Sequence, residues 1–328
     1  MTNFFYRSLA KASQQKQVTP GQSIRLKFDL ALAHDGSGPQ ILEQTSVRSD
    51  ELCSSCRILF TLDHSFPAPT VKDREFQRDI SVFAQKHNLR LFKNGEGVLH
   101  QVVAEKESLW PGMIIIGADG HVATQGAFGG IAFSLSAKEF VQAIHTGFHE
   151  ITVPEPVAIS VEGALQKPAM ARDLAMHLID RCGGLINGKA LLLTGSTIDQ
   201  LNISEKMSIC NFLPEGGVAT ALVLPQGEQE QIDLKIDSNE IVPLIAVPGE
   251  KTIYSRPASL LSEKITVAIA GGCSSGRLDD MKLIAEVLAQ NEVHPDVTFI
   301  ITPGSRNIME AMDKLHISTV LRNRGAVI

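Results

Sequence analysis

Short runs of apolar and β-branched residues recur along the chain, and each ends at glycine, proline or a polar residue. Runs bounded in this way by turn residues are typical of strands buried in parallel sheets. We therefore predict strands in five segments: RILFTLDH (57–64), MIIIGADG (113–120), ALLLTGS (190–196), ITVAIAGG (265–272) and VTFIITPG (297–304).

Between these runs, apolar residues recur with helical spacing. The pattern predicts helices over 73–87, 136–147, 169–184 and 279–295. In the first of these, Phe76, Ile80 and Phe83 fall on one face, because residues three or four apart share a helix face. The glycine pair at 183–184 and the proline at 295 predict the ends of the last two helices. Strands that alternate with helices indicate an α/β fold with right-handed crossovers.

The 328-residue length suggests two or three domains. Two breaks in composition suggest where they meet. One is VPEPV at 153–157, and the other is the polar stretch that begins at 225 and runs to about 262. We therefore predict domains over 1–154, 155–262 and 263–328.

Composition excludes several classes of protein. The chain has 30 basic and 36 acidic residues and no basic block, which argues against nucleic acid as the main partner. It has no run of 18 apolar residues, so we predict no membrane span, and its first residues lack the apolar stretch of a secretory signal. The five cysteines are too few for a disulfide scaffold, and an odd number cannot all be paired. Because free thiols are typical of the reducing cytosol, the count indicates a cytoplasmic protein.

Polar groups follow several of the predicted strands. Ligands bind at the carboxyl ends of parallel strands in open α/β sheets, and carboxylate–histidine pairs suit acid–base chemistry. Each pair taken singly is also what a solvated loop would show, but the set together indicates a site. Its members are Asp63, His64, His100, Asp119, His121, Glu215 and Cys273.

These segments resemble a known family. GADGHVATQGAFGGIAF (117–133) resembles the G-D/A-D-S-H-T-x-T-x-G-A-x-G-x-x-A-F pattern of the aconitase superfamily, and AIAGGCSSGRLDDMKLIAEVL (268–288) resembles its G-S-C-T-N-S/G-R-x-x-D-L segment. Six further stretches match in the same order, so the resemblance covers nearly the whole chain. AHDG at 33–36 and DHSFPAPT at 63–70 are most similar to the large subunit of 3-isopropylmalate dehydratase or homoaconitase.

The resemblance implies a fold and an activity. The fold would be three-layer α/β/α domains with mostly parallel sheets around a central cleft, with the third domain incomplete. The activity would be that of a hydro-lyase, which isomerises a 2-hydroxy di- or tricarboxylate by dehydration and rehydration. A [4Fe–4S] cluster would act as the Lewis acid, and a separate small subunit would carry the serine that abstracts the substrate proton.

The resemblance also assigns roles to residues. Asp63 would pair with His64, Asp119 with His100, and Glu215 with His121, and His64 would protonate the departing hydroxyl. Cys273 would be the first ligand of the cluster. The candidate substrate contacts are His34, Asp35, Asn211 and Arg277, of which Arg277 also suits an anchor for the loop after Cys273.

The sequence departs from the family pattern at several positions. The C-x-x-C pair that supplies the other two cluster ligands does not occur after the last matched segment, and one thiolate cannot hold a cubane cluster. Gly120 replaces a serine, Ser275 an asparagine and Lys206 an arginine. The C-S-S-C segment at 53–56 favours a loop over a metal site, and Cys182 and Cys210 are expected to be packed thiols.

Two interpretations remain open. The chain is the truncated or split large subunit of a hydro-lyase, acting only with a partner chain, or it is a catalytically inactive relative without a cluster. In both cases we predict that the isolated chain has no activity and that the third domain exposes an edge strand and apolar surface.

Overall fold

A computed structural model of the chain describes residues 3–46, 51–247, 254–257 and 264–328. Within these residues, three parallel sheets of five, four and three strands form the framework. Two short antiparallel pairs complete the strand inventory of the described chain. The predicted α/β fold with mostly parallel sheets is therefore confirmed. In the part of the chain that the structure describes, no helix is long and apolar enough to span a membrane.

The amino-terminal part contains the first parallel sheet. Its elements are α1 (Phe4–Ala12), β1 (Ser23–Lys27), β2 (Leu30–His34), α2 (Gly38–Ser46), β3 (Arg57–Thr61), α3 (Val71–Lys86), β4 (Arg90–Phe92), α4 (Leu99–Lys106), β5 (Ile114–Gly117), a 3₁₀ helix (Val122–Phe128), β6 (Ile131–Ser134), α5 (Ala137–Thr146) and β7 (Phe148–Thr152). The strand order is β4-β3-β2-β5-β6, and β1 pairs antiparallel with β7.

The central strand β2 is buried at all five positions, because helices cover both faces of the sheet. On one face, Phe60 and Phe140 pack edge to face with their ring centroids 6.4 Å apart. On the other face, Leu99 and Val103 of α4 join the core with β2. This double burial explains why the strand reads as a continuous apolar run.

The second sheet lies within the middle of the chain. Its part of the chain comprises β8 (Pro156–Glu162), α6 (Ala171–Ile186), β9 (Ala190–Thr194), α7 (Ser196–Gln200), α8 (Ile203–Phe212), a 3₁₀ helix (Leu213–Gly216), β10 (Thr220–Val223), β11 (Leu234–Asp237), a 3₁₀ turn (Ser238–Glu240), β12 (Leu244–Val247) and β13 (Tyr254–Pro257). The parallel order is β10-β9-β8-β11, and β12 pairs antiparallel with β13.

The third sheet follows residue 264. Its elements are β14 (Val267–Gly271), α9 (Gly272–Ser275), α10 (Leu278–Ala289), β15 (Thr298–Thr302), α11 (Arg306–Lys314), α12 (Ile317–Asn323) and β16 (Ala326–Val327). The order is β14-β15-β16, all parallel. The predicted domain limit at 262 lies outside the described residues, and the limits as a set stay a prediction.

One face of the third sheet is apolar and open to solvent. Ile269, Ile300 and Val327 lie side by side across its three strands, with exposures of 72%, 36% and 56%. The opposite face is covered by helices, and Met281 and Leu321 are fully buried there. The apolar surface expected for this part of the chain is therefore present.

Two predicted helix ends were wrong. The helix α6 continues through the glycine pair at 183–184 to Ile186, because Cys182 and Ile186 pack into the second core and burial outweighs the cost of about 1 kcal/mol for each helical glycine. The helix α10 ends at Ala289 and not at the proline. There, the Asn291 side chain donates a hydrogen bond of 2.7 Å to the Val287 carbonyl and satisfies an acceptor of the last turn.

Candidate active site

Polar side chains meet at the carboxyl-terminal edge of the first sheet. His34 ends β2, Asp63 and His64 follow β3, and Asp119 follows β5. His100 joins them from the first turn of α4. Because parallel strands end at the same edge, residues distant in sequence come together there.

The buried carboxylate of Asp119 is the centre of this edge. It accepts hydrogen bonds from His100 Nε2 at 2.8 Å and from His34 Nε2 at 3.1 Å. His64 Nε2 and His121 Nδ1 lie 4.0 and 3.9 Å from its oxygens. Burial disfavours the charged form, but the charges and hydrogen bonds of His100 and His34 outweigh it and hold the pKa of Asp119 well below its usual range. One carboxylate is therefore surrounded by four imidazoles.

The second acid–histidine pair joins neighbouring residues. His64 Nδ1 lies 3.0 Å from the Asp63 carboxylate, which also accepts a bond of 2.7 Å from the Leu99 amide. Burial lowers the pKa of His64, but the hydrogen bond and charge of Asp63, with the charge of Asp119, raise it above its ordinary value. Burial raises the pKa of Asp63, but its bond to His64 outweighs this and lowers it. His64, whose side chain is 45% exposed, is thus favoured as a cation at the surface of the site.

The third pair crosses from the first sheet to the second. His121 Nε2 lies 2.7 Å from the Glu215 carboxylate, which is carried by the 3₁₀ helix after α8. The capping box between Asn202 and Glu205 fixes the start of α8 and so the position of this segment. The three predicted acid–histidine pairs are all within hydrogen-bond distance, whereas their catalytic roles stay a proposal.

A chain of polar contacts then extends to the third sheet. Thr124 donates a hydrogen bond of 2.6 Å to the His121 carbonyl and accepts one of 2.9 Å from Asn211 Nδ2. Asn211 also bonds the thiol of Cys273. Burial and the charge of Asp119 raise the pKa of this thiol, although the bond from Asn211 lowers it. Asn211 is fully buried on α8. Its contacts with Thr124 and Cys273 connect this part of the second sheet with the first and third sheets.

Asp35 holds the loop that carries His64 through hydrogen bonds to its backbone amides. Its carboxylate accepts bonds from the amides of Asp63, His64 and Ser65 at 3.1, 2.8 and 3.1 Å, and from Gln77 Nε2 at 3.0 Å. All four acceptor positions are thus used within the protein. This geometry supports a positioning role for Asp35 rather than contact with substrate.

Two arginines lie beside Cys273. Arg277 is buried, and its two terminal nitrogens donate to the carbonyls of Ser274 and Cys273 at 2.9 and 3.2 Å. It therefore anchors the loop that holds the thiol. Arg172 lies over the Phe212 ring at 4.2 Å, and within the described chain its buried Nη1 has no hydrogen-bond partner. Arg172 was missed in the sequence, because nothing in its helix marks it as part of this edge.

The geometry does not favour a mononuclear metal ion. Ligand atoms of His34, Asp35, Asp63 and His64 lie within 4.8 Å of one another. However, Asp35 is fully used, both nitrogens of His34 bond Gly36 and Asp119, and His64 Nδ1 bonds Asp63. The Asp63 carboxylate accepts three bonds, from Thr61, His64 and Leu99. One position on Asp63 and the Nε2 of a deprotonated His64 therefore remain open in this group, which is too few for a metal centre.

The cysteines do not fit a [4Fe–4S] cluster either. Cys273 is at this edge, Cys182 and Cys210 are packed in the second core, and Cys53 and Cys56 precede β3 at the opposite edge of the first sheet. A strand of five residues separates the two edges by about 16 Å. A cubane cluster needs three or four protein ligands, and these residues supply one. No catalytic step is therefore assigned to a cluster.

The side chains of Ser305 and His145 both form hydrogen bonds with other parts of the protein. Ser305 caps α11, but its hydroxyl donates to Glu105 at 2.6 Å, so the protein's own carboxylate takes the place of a bound anion. His145 Nδ1 donates to the Glu51 carbonyl at 2.7 Å. In the described chain, His145 and His149 belong to no group of potential metal ligands.

Comparison with known proteins identifies the family. The model of the Aconitase family (aconitate hydratase) matches residues 8–233 and 234–328. The chain belongs to the Aconitase family. Members of this family are hydro-lyases and typically bind a [4Fe–4S] cluster.

Several family members are similar over almost the whole chain. A probable methanogen homoaconitase large subunit from Methanothermobacter thermautotrophicus is 31% identical over 99% of this chain and 83% of its own length. A 3-isopropylmalate dehydratase large subunit from Methanopyrus kandleri is 28% identical over 95% of this chain and 80% of its own. The crystal structure of Thermococcus kodakaraensis aconitase X superposes with a TM-score of 0.56 at 11% identity, over 98% of this chain and 81% of that one. The last comparison supports the fold alone.

Proposed function

We propose that this member of the Aconitase family is the large-subunit homologue of a hydro-lyase that isomerises a 2-hydroxy di- or tricarboxylate. The observation that carries the proposal is the set of imidazoles around Asp119, with His64 and His121 each held by a second carboxylate. Dehydration requires a proton for the departing hydroxyl, and positioned imidazoles supply protons near neutral pH. The names of the similar large subunits support the same substrate class and a separate small subunit.

His64 is the residue best placed to act as the acid. Its Nδ1 is bound to Asp63, which leaves Nε2 available for substrate, and its raised pKa favours the protonated form. His100 and His34 hold Asp119 as an anion, and this negative charge favours the protonated form of His64. We assign His121 with Glu215 to the binding or orientation of substrate across the cleft between the first and second sheets.

The test combines the purified chain with a partner chain from the same genome that supplies the serine of the small subunit and the remaining cluster cysteines, after anaerobic treatment with iron and sulfide. Formation of the unsaturated acid from 3-isopropylmalate or homocitrate is followed by its ultraviolet absorbance. We expect turnover by the pair of chains, none by the isolated chain, and a loss of about 10²-fold or more in His64→Asn. The matched control is His294→Asn, a change at an exposed histidine in the loop between α10 and β15. No turnover of any hydroxy di- or tricarboxylate by the pair would overturn the proposal.

The single thiol at the site favours a second candidate, a catalytically inactive relative that binds a partner chain. Gly120, which lacks the family hydroxyl, supports the same candidate. Iron and sulfide content after the same anaerobic treatment separates the two. A full complement of about four irons per chain refutes the inactive candidate, whereas substoichiometric iron together with absent turnover supports it.

A further inference from the structure

Two cysteines lie together in the turn that precedes β3. The amide of Cys56 donates a hydrogen bond of 3.4 Å to the carbonyl of Cys53, which closes the turn. Their sulfur atoms are 3.3 Å apart, and both side chains are half-buried. The Cys53 sulfur packs against Gly147 at the end of α5, where a Cβ atom would come within 2.6 Å of it. The turn and this contact therefore hold the thiols side by side.

We propose that Cys53 and Cys56 form a reversible dithiol–disulfide site that exchanges with small anionic disulfides of the glutathione type. A four-residue turn brings its end Cα atoms within about 7 Å, and disulfides join Cα atoms about 4.4–6.8 Å apart. Small side-chain rotations bring the sulfurs to the bonding distance of about 2 Å. This site is separate from the acid–histidine edge and from the activity proposed there.

The surroundings of the two sulfurs give them different roles. Burial raises the pKa of Cys53, but hydrogen bonds from Ser55 and Cys56 outweigh it and lower the pKa below the ordinary thiol value. Burial, the hydrogen bond to Cys53 and the charge of Cys53 raise the pKa of Cys56 to about 12. Because the thiolate is the nucleophile, Cys53 attacks first and Cys56 resolves.

A cavity beside the thiols has room for the co-reactant. Its volume is about 610 Å³, and both cysteines line it. Its lining also includes Arg57 and Arg90, which both contact Glu107. These three side chains contribute two positive charges and one negative charge to the cavity lining, so the cavity favours an anionic partner.

The exchange balances without another reagent. The Cys53 thiolate attacks one sulfur of the small disulfide, forms a mixed disulfide and releases one thiolate. Cys56 then loses its proton and attacks the Cys53 sulfur, which releases the second small thiol. Two protein thiols are oxidised to one disulfide, and one small disulfide is reduced to two thiols.

The test treats the whole chain with glutathione disulfide at neutral pH and follows intact mass and peptide mapping. We expect the wild type to lose two hydrogens at Cys53 and Cys56 and to keep no adduct. Cys56→Ser should retain one glutathione on Cys53, and Cys53→Ser should react at least about tenfold more slowly. Ser55→Ala should slow the reaction of Cys53, whereas Ser134→Ala, at an exposed position at the end of β6 and outside the cavity, should react like the wild type.

Other outcomes overturn the proposal. A stable glutathione adduct on the wild type, equal rates for Cys53→Ser and Cys56→Ser, or oxidation of Cys273 in preference to this pair would each do so. Stoichiometric zinc that shields both thiols in the purified chain would also contradict it. Circular dichroism of each variant confirms that the fold is retained.

Discussion

The rings of His34 and His64 stack with their centroids 3.6 Å apart and their planes inclined by 17°. His34 is fixed from both sides, because Nδ1 accepts a bond from Gly36 and Nε2 donates to Asp119. The fixed ring of His34 therefore supports the more exposed ring of His64 on one face. The proposed acid is held by packing as well as by its bond to Asp63, which limits the orientations that Nε2 can adopt.

The first prediction concerns the pH dependence of stability. The pKa of His64 is raised in the folded protein, so its contribution is complete below its unfolded value of about 6.5 and is lost as pH rises through the folded value. In His64→Gln, the free energy of unfolding should therefore fall less between about pH 6 and 9 than in the wild type. Urea titrations across this range check the difference, and identical slopes in the two proteins would contradict it.

The second prediction concerns Asp35. Asp35→Asn replaces one acceptor oxygen by a donor that faces backbone amides and Gln77, so buried donors lose their partner. We expect the free energy of unfolding to fall by about 2–3 kcal/mol. Asp79→Asn, on the exposed face of α3, should change it by less than about 0.5 kcal/mol. Chemical denaturation of both variants measures the contrast, and equal effects would refute the positioning role.

The third prediction compares two glycines of one segment. A Cβ at Gly126 would lie 1.8 Å from the Ala221 carbonyl oxygen, whereas a Cβ at Gly120 would have no neighbour within 4 Å. Gly126→Ala should cost at least about 2 kcal/mol, because the 3₁₀ helix must move away from β10. Gly120→Ala should be nearly neutral. Thermal unfolding of the two variants checks this. An unchanged melting temperature in Gly126→Ala would contradict the close approach of Gly126 to Ala221.

The fourth prediction uses the open space at Gly120. Gly120→Ser adds a hydroxyl between Asp119 and His121 without a clash. If the site binds a hydroxy dicarboxylate, one added hydrogen bond should tighten binding about fivefold. Calorimetric titration with 3-isopropylmalate measures the change, and Gly120→Ala is the matched control. Equal dissociation constants for the two variants would mean that the substrate carboxylate does not bind beside residue 120.

The sequence was informative where one local property determines the structure. The strand at 190–194 is buried on both faces, so its apolar run marks it directly. Asp63 and His64 are neighbours in the sequence, whereas the pairing of Glu215 with His121 came from the family resemblance, because spacing alone does not bring residues 94 positions apart together. The stacking of His34 on His64, the four bonds of Asp35 and the position of Arg172 depend on tertiary packing and left no local pattern. The end of α6 was missed because burial of Ile186 outweighs the helix-breaking tendency of two glycines.

The polar contacts from His121 through Thr124 and Asn211 to Cys273 have a kinetic consequence. The link between Thr124 and Asn211 joins segments that are 87 residues apart, and the link to Cys273 requires the third sheet. Contacts between distant segments carry a large loop-closure cost and form late in folding. Substitutions along this line should therefore speed unfolding far more than they slow folding. On the ribosome, the contacts from His121 to Cys273 can be completed only after the segment that begins the third sheet has emerged.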